Sequence, residues 1–284
     1  KRRNQLLPFV AFLSALVLFG VLASSTVSAQ SSNYSISQVD HKIQVMYSGH
    51  VLVLDTVHVS GQVSDGFMIG LPYQFSDDVF KGFAYDDNHV FQLNLGVQLG
   101  NQTCFYGAEV NFNGYTPEVF TVAFVLSNRL ITQLSNGSFV LDFPAYPSLA
   151  KGTSNCNVEL LFPSSPHRLT ITKDDGDVNQ AIFSATNLPA YTYSVARATF
   201  SVSTGTLQLA TITNLDSEVT IDPTGSVTVS DLYQITNHAS LLGSFVFSLP
   251  VEAQNIAVTD EFSRPLPYAL AVSANSDMRL ANVT

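Results

Sequence analysis

Apolar and polar side chains alternate residue by residue in short segments along most of this chain, and this pattern limits the fold more than any other. Successive side chains of a strand point to opposite faces, so the alternation indicates strands with one buried face. Turn-forming pairs such as Asn113-Gly114 and Asn136-Gly137 separate the segments. The clearest segments are 43–45, 51–53, 57–59, 120–122, 227–229 and 245–247. We therefore predict an all-β fold of short antiparallel strands, arranged as β-sandwiches.

The chain also repeats part of its own sequence. At one constant offset, the matching segments are 36–40 with 212–216, 43–45 with 219–221, and 49–55 with 225–231. After a short insertion, 67–72 matches 245–250. Chance similarity between β-rich segments is the alternative, but the shared Gly, Asp and Leu-Pro positions favour duplication. We predict two tandem, related β-sandwich domains, 30–208 and 209–284, of which the second is truncated.

The first residues have the pattern of a targeting segment. Lys1-Arg2-Arg3 is followed by an almost wholly apolar run over 6–23, and Val27-Ser28-Ala29 supplies the small residues of a cleavage site. We predict a signal peptide over 1–29 that is cleaved after Ala29. An uncleaved membrane anchor is the alternative, because a run of this length is just enough to span a bilayer.

Two further features agree with export. Glycosylation sequons begin at Asn33, Asn101, Asn136 and Asn282. Asn136 is the strongest candidate, because Asn-Gly favours an exposed turn. Cys104 and Cys156 are candidates for one disulfide in an oxidising compartment, and two free thiols are the alternative.

Charge and motif content limit the function classes. The formal net charge is −10, and an acidic surface repels phosphate backbones, so we expect no nucleic-acid partner. No Gly-x-Ser-x-Gly elbow is present. The acidic run 174–177 could bind calcium, but a solvated turn is the favoured interpretation. Six scattered histidines form no zinc spacing: His41, His50, His58, His89, His167 and His238. We predict no catalytic residues, no metal site and no cofactor.

The second repeat resembles the ribophorin I family, the large lumenal subunit of the oligosaccharyltransferase complex. The resembling segments are 219–235, 245–256 with its Leu249-Pro250 strand end, and the Asp260-Glu261 turn. In the first domain, Phe143-Pro-Ala-Tyr-Pro147 and Asn187-Leu-Pro-Ala-Tyr191 fall where that family has similar Pro- and Tyr-containing segments. The resemblance covers most of residues 34–270 in order. The family's C-terminal transmembrane helix is absent from this sequence. The chain's low charge and Ser/Thr-rich character are unlike those of typical animal members, so the resemblance is to a distant eukaryotic or an archaeal member.

The resemblance implies a non-catalytic role. The complex transfers a glycan from a lipid-linked donor to Asn in Asn-x-Ser/Thr, and the chemistry belongs to another, multi-spanning subunit. A ribophorin I-like glycoprotein would sit on the lumenal side of the endoplasmic reticulum membrane and hold substrate polypeptide near that subunit. Its expected partners are the other subunits, nascent or unfolded polypeptide, and the membrane, contacted through the leader or a missing C-terminal span.

Two alternatives stay open on the sequence. Low charge, sequons and Ser/Thr richness also suit a cell-surface or envelope protein of tandem sandwiches, such as an adhesin or sheath component. A secreted hydrolase with an unrecognised site is the third and least favoured class. Because the chain lacks an initial Met and stops within strand-like sequence, we expect it to be a fragment of a longer protein.

Overall fold

The described part of the chain is almost all β-structure, which confirms the predicted fold class. A computed structural model describes residues 34–63, 65–203, 206–239, 242–272 and 278–284. The leader predicted over 1–29 and the sequon residue Asn33 lie outside these residues. Within the described part, the helical segments are two 3₁₀ helices, Tyr73–Asp78 and Asn128–Leu130.

Fourteen strands make up two hydrogen-bonded sheets. The strands are β1 (Tyr34–Val45), β2 (Val51–Gly61), β3 (Phe67–Pro72), β4 (Val79–Tyr85), β5 (Val90–Leu99), β6 (Gln102–Asn111), β7 (Val119–Leu126), β8 (Ile131–Gln133), β9 (Phe139–Pro144), β10 (Ser148–Leu149), β11 (Thr153–Leu161), β12 (His167–Lys173), β13 (Ile182–Leu188) and β14 (Val195–Ser201). The larger sheet has the order β10-β3-β6-β5-β4-β7-β2-β1-β11-β13, and the smaller has β12-β14-β9-β8. The predicted alternation places one face of these strands in a shared core.

One apolar core joins the two sheets. It includes Ile43 on β1, Phe143 on β9 and Phe200 on β14, all fully buried. At one end, the ring of Phe120 meets those of Phe67 and Phe112 edge-on, with ring centroids 4.8 and 4.9 Å apart. Edge-to-face aromatic pairs of this kind contribute about 0.5–1.5 kcal/mol beyond their buried area.

One strand pair departs from the predicted antiparallel arrangement. β1 runs parallel to β11, with Ile36 opposite Thr153 and Gln44 opposite Leu161. Parallel neighbours need a long connection, and here all of β2–β10 lies between the two strands. The alternation pattern sets which face of a strand is buried, but it does not specify such a distant partner.

The remaining five strands are β15 (Ala210–Ile221), β16 (Val227–Asn237), β17 (Phe245–Pro250), β18 (Tyr268–Val272) and β19 (Met278–Val283). The repeat aligns the first and last residues of β15 with those of β1, and the bounds of β16 with those of β2. After the short insertion, it aligns the bounds of β17 with those of β3 in the same way. The strands therefore follow the sequence repeat residue by residue.

The repeat extends to backbone detail. The first hairpin has a register shift between Ile36 and Gln38, and the second has one at the corresponding place, between Ile212 and Asn214. Each hairpin closes in a turn with a Gly at positive φ, +81° at Gly49 and +85° at Gly225. Corresponding backbone hydrogen bonds close both turns. Two copies of one hairpin are thus present in this protein.

A second correspondence involves the next strands. In one sheet β6 pairs with both β3 and β5, and in the three-stranded sheet β19 pairs with both β17 and β18. We call β1, β2, β3, β5 and β6 the first copy, and β15–β19 the second copy. β15 and β16 form a two-stranded sheet of their own. The predicted domain boundary at residue 208 falls in the connection between β14 and β15 and stays a prediction.

The turn of the first hairpin packs against that connection. The Gln208 amide N–H donates to the Tyr47 carbonyl at 2.9 Å, and the Asn128 side chain donates to the Ala210 carbonyl at 3.1 Å. A Cβ on Gly49 would lie 2.5 Å from Leu209 Cδ2, which is closer than Cβ atoms approach. Both its backbone conformation and this packing therefore favour glycine at position 49.

Candidate functional site

A histidine–aspartate pair is buried between the two sheets. His41 on β1 and Asp55 on β2 face each other, and both side chains are fully buried. The His41 Nδ1 to Asp55 Oδ1 distance is 2.5 Å. The other ring nitrogen, Nε2, donates to the carbonyl of Pro144 on β9 at 3.0 Å, because a carbonyl can only accept. The pair is thus a polar bridge through the core from one sheet to the other.

The alternation of β1 and β2 places this pair in the core. His41 lies between the buried residues Val39 and Ile43, and Asp55 lies between the buried residues Val53 and Val57. From the sequence, His41 was counted among six scattered histidines, and its pairing with Asp55 was not predicted. The inward position of His41 in the alternation, together with the hairpin register that places it opposite Asp55, could have predicted the pair.

The surroundings of this pair do not support thiol chemistry. Cys156 on β11 is buried in the same core. Burial, and then the negative charges of Asp55 and Asp40, raise the pKa of the Cys156 thiol far above its ordinary value. The thiolate is the nucleophilic form, so Cys156 is a structural core residue.

Both cysteines are free thiols in the structure, and the candidate disulfide between them is not formed. Cys104 is exposed on β6, whereas Cys156 is buried on β11.

We expect one thiol per native chain to react with Ellman's reagent at mildly alkaline pH, and two in concentrated guanidinium chloride. Cys104→Ser should abolish the reaction of the native chain. Absence of reaction in the unfolded, unreduced chain would instead show a disulfide.

The second copy contains a counterpart of the buried pair. Ser217 on β15 faces Asp231 on β16, and the repeat aligns these residues with His41 and Asp55 respectively. Ser217 Oγ donates to Asp231 Oδ1 at 2.5 Å, and both residues are exposed. A polar cross-strand pair therefore exists at the same place in both hairpins, buried in one and solvated in the other.

The two first-domain segments that carry the ribophorin I resemblance, 143–147 and 187–191, are joined through the residues that follow each of them. Segments 143–149 and 187–194 are joined by hydrogen bonds from Ala145 N to Ser194 O (3.2 Å), from Ser148 Oγ to Thr192 O (2.9 Å) and from Tyr191 N to Leu149 O (2.8 Å). β10 in the first of these segments also pairs with β3, which ends in the first Leu-Pro. These segments thus build one continuous local structure.

An aromatic cluster lies beside these segments. The Phe105 ring centroid is 6.4 Å from that of Tyr191 and 5.8 Å from that of Tyr193. Tyr193 is 46% exposed, and its hydroxyl donates to Gln74 Oε1 at 3.2 Å. Aromatic residues with one apolar and one polar end are frequent at protein interfaces. Tyr193, the half-exposed member of this cluster, is suited to contact with another polypeptide.

The described sequons occupy different settings. Asn101 lies in the exposed turn between β5 and β6. Asn136 lies in the turn between β8 and β9, where its side chain accepts from the Ser138 amide at 3.0 Å. Asn282 is within β19, the central strand of its sheet, and its Oδ1 is buried. Asn101 and Asn136 are thus open to an enzyme, whereas Asn282 is held in a strand ladder.

The acidic run 174–177 follows β12. Asp175 accepts from Lys173 Nζ at 2.6 Å and from the Tyr146 hydroxyl at 3.0 Å. Partial burial alone would raise the pKa of Asp175, but the hydrogen bonds from Lys173 and Tyr146 outweigh it and hold this pKa below its ordinary value. Among the residues that the structure describes, no group of three or more His, Cys, Asp or Glu is placed to hold a metal ion.

These features define an all-β protein of packed sheets with a duplicated set of strands and a polar pair buried in its core. No helix in the described residues is long and apolar enough to cross a membrane.

Comparison of the chain with known proteins finds no matching family and only structures of low sequence identity. No protein-family model matches the chain, and no curated protein matches it. Among solved structures, the chain is similar to an aminopeptidase N family protein from Idiomarina loihiensis, with 12% identity, a TM-score of 0.39, and coverage of 69% of this chain and 32% of that one. It is also similar to yeast LTA4 hydrolase in complex with bestatin, with 12% identity, a TM-score of 0.35, and coverage of 65% and 29%. The chain spans about a third of the length of these structures.

Proposed function

We propose that this chain is a non-catalytic, ribophorin I-like subunit of the oligosaccharyltransferase complex. In this role it lies on the lumenal side of the endoplasmic reticulum membrane and supports N-linked glycosylation by scaffolding the complex and holding substrate polypeptide. The observation that carries the proposal is the structural repeat. β15–β17 reproduce β1–β3 in their bounds, register shift and closing turn, and the resemblance implies two related β domains.

The packing of the motif segments supports the same proposal. Segments 143–149 and 187–194 contact each other, and β10 connects them to the Leu-Pro strand β3. The half-exposed Tyr193 beside them offers the apolar contact that a loosely held polypeptide needs.

The test is copurification from the cells that make the protein. The tagged full-length chain, extracted from membranes with a mild detergent, should bring down the multi-spanning catalytic subunit. Depletion of the chain should lower sugar occupancy at Asn-x-Ser/Thr sites of secreted proteins, while an unrelated tagged lumenal glycoprotein should do neither. Labelling of the chain on intact cells by a membrane-impermeant reagent, without copurification, would contradict the proposal and favour the cell-surface alternative.

A further inference from the structure

The second hairpin exposes a face that the first hairpin buries. Five apolar residues on this face are 48–68% exposed: Leu215, Val219, Ile221, Val227 and Val229. Their counterparts in the first hairpin are at most 2% exposed: Val39, Ile43, Val45, Val51 and Val53. The backbone of the two hairpins is the same, so the difference lies in what covers them.

The opposite face of the second hairpin is mainly polar, although Leu232 lies on it and is 66% exposed. This face presents Asp216, Glu218, Thr228 and Ser230, so the alternation in β15 and β16 is that of a hairpin with one face in a core. A two-stranded hairpin alone is at best marginally stable in water. An exposed patch of contiguous apolar side chains marks a surface that another element covers.

The first copy shows what covers this face. β7 adds antiparallel to the free edge of β2, from Val51 opposite Leu126 to His58 opposite Val119. The smaller sheet then lies over the face, and His41 reaches the carbonyl of Pro144 in it. Within the described residues, β16 pairs with β15 alone. The Tyr233 ring on this face meets the Phe247 ring of β17, with centroids 4.6 Å apart, but the five residues named above remain exposed.

We propose that the apolar face of β15–β16 is the docking site of a further β-sheet layer, formed by residues of this same polypeptide that follow Thr284. One of its strands adds antiparallel to the free edge of β16, as β7 adds to β2, and has the alternating apolar pattern of β7. Ser217 and Asp231 then become a buried polar pair like His41 and Asp55. This inference does not depend on the glycosylation proposal.

The test compares thiol labelling on the two faces of the hairpin. Val229→Cys probes the apolar face and Ser230→Cys is the matched control on the polar face, both in a Cys104→Ser background. Each variant is made in the chain ending at Thr284 and in the chain extended to the end of its reading frame. In the shorter chain, both variants should react with a maleimide at similar rates. In the extended chain, V229C should react about tenfold more slowly or less, because a covered site reacts only through local opening, and S230C should be unchanged.

Three results would overturn the proposal. V229C labelling at the same rate in both chains would show that the continuing polypeptide does not cover the face. Protection in the shorter chain that increases with its concentration would assign the face to a second copy. Protection of the extended chain only after addition of an unfolded polypeptide would assign it to a bound substrate.

Discussion

Asp55→Ala should lower the free energy of unfolding by about 3–5 kcal/mol, because removing one partner of a buried polar pair leaves the other without compensation. His41 Nδ1 would lose its contact with Asp55 Oδ1 in a site that excludes water. The cross-sheet hydrogen bond to Pro144 would also lose the carboxylate that orients the ring. Urea denaturation followed by circular dichroism and tyrosine fluorescence measures the loss, since the chain has no Trp.

The molecule supplies its own control for this substitution. Asp231→Ala removes the equivalent carboxylate from the second hairpin, where Ser217 and Asp231 are exposed. Loss of this solvated hydrogen bond should lower the free energy of unfolding by about 0.5–1 kcal/mol.

The double substitution His41→Leu with Asp55→Val replaces both members of the buried pair. It should lower the free energy of unfolding by less than D55A alone does, because no buried polar group is left without a partner. Equal losses for D55A and D231A would contradict the role assigned to burial.

Gly49→Ala should lower the free energy of unfolding by about 2–4 kcal/mol, for two separate reasons. Its φ of +81° is unfavourable for a residue with a side chain. The added methyl would also lie 2.5 Å from Leu209 Cδ2 and 3.1 Å from Asn128 Cβ, so the buried side chain of Leu209 must shift. The same denaturation experiment measures the change.

Gly225→Ala separates these two contributions. Gly225 has a φ of +85° in the equivalent turn, but an added Cβ would have no atom within 4 Å. The free energy of unfolding of this variant should fall by about 1–2 kcal/mol, which is the cost of the positive φ alone. A loss as large as that of G49A would show that the turn conformation alone accounts for the effect and that the packing against Leu209 contributes nothing.

Much of the fold follows from local sequence. Alternation predicted the strands, and the repeat predicted that β15–β17 would reproduce β1–β3, because a hairpin is set by its own side chains and its turn. The parallel pairing of β1 with β11 was not predicted, since no local signal specifies a partner so distant in the chain. His41 and Asp55 were missed because the pair becomes visible only when their inward positions are combined with the hairpin register that places them opposite each other.

The second hairpin also has a consequence for how this protein is made. β15 and β16 contain acidic residues but no Lys, Arg or Pro, so little on their free edges discourages a strand of another molecule from joining them. A nascent chain that has been synthesised only as far as β16 would be prone to aggregate at high concentration, because both edges of this hairpin are still free. Its successful production would then depend on chaperones that shield these edges, or on a rate of translation that keeps the interval short.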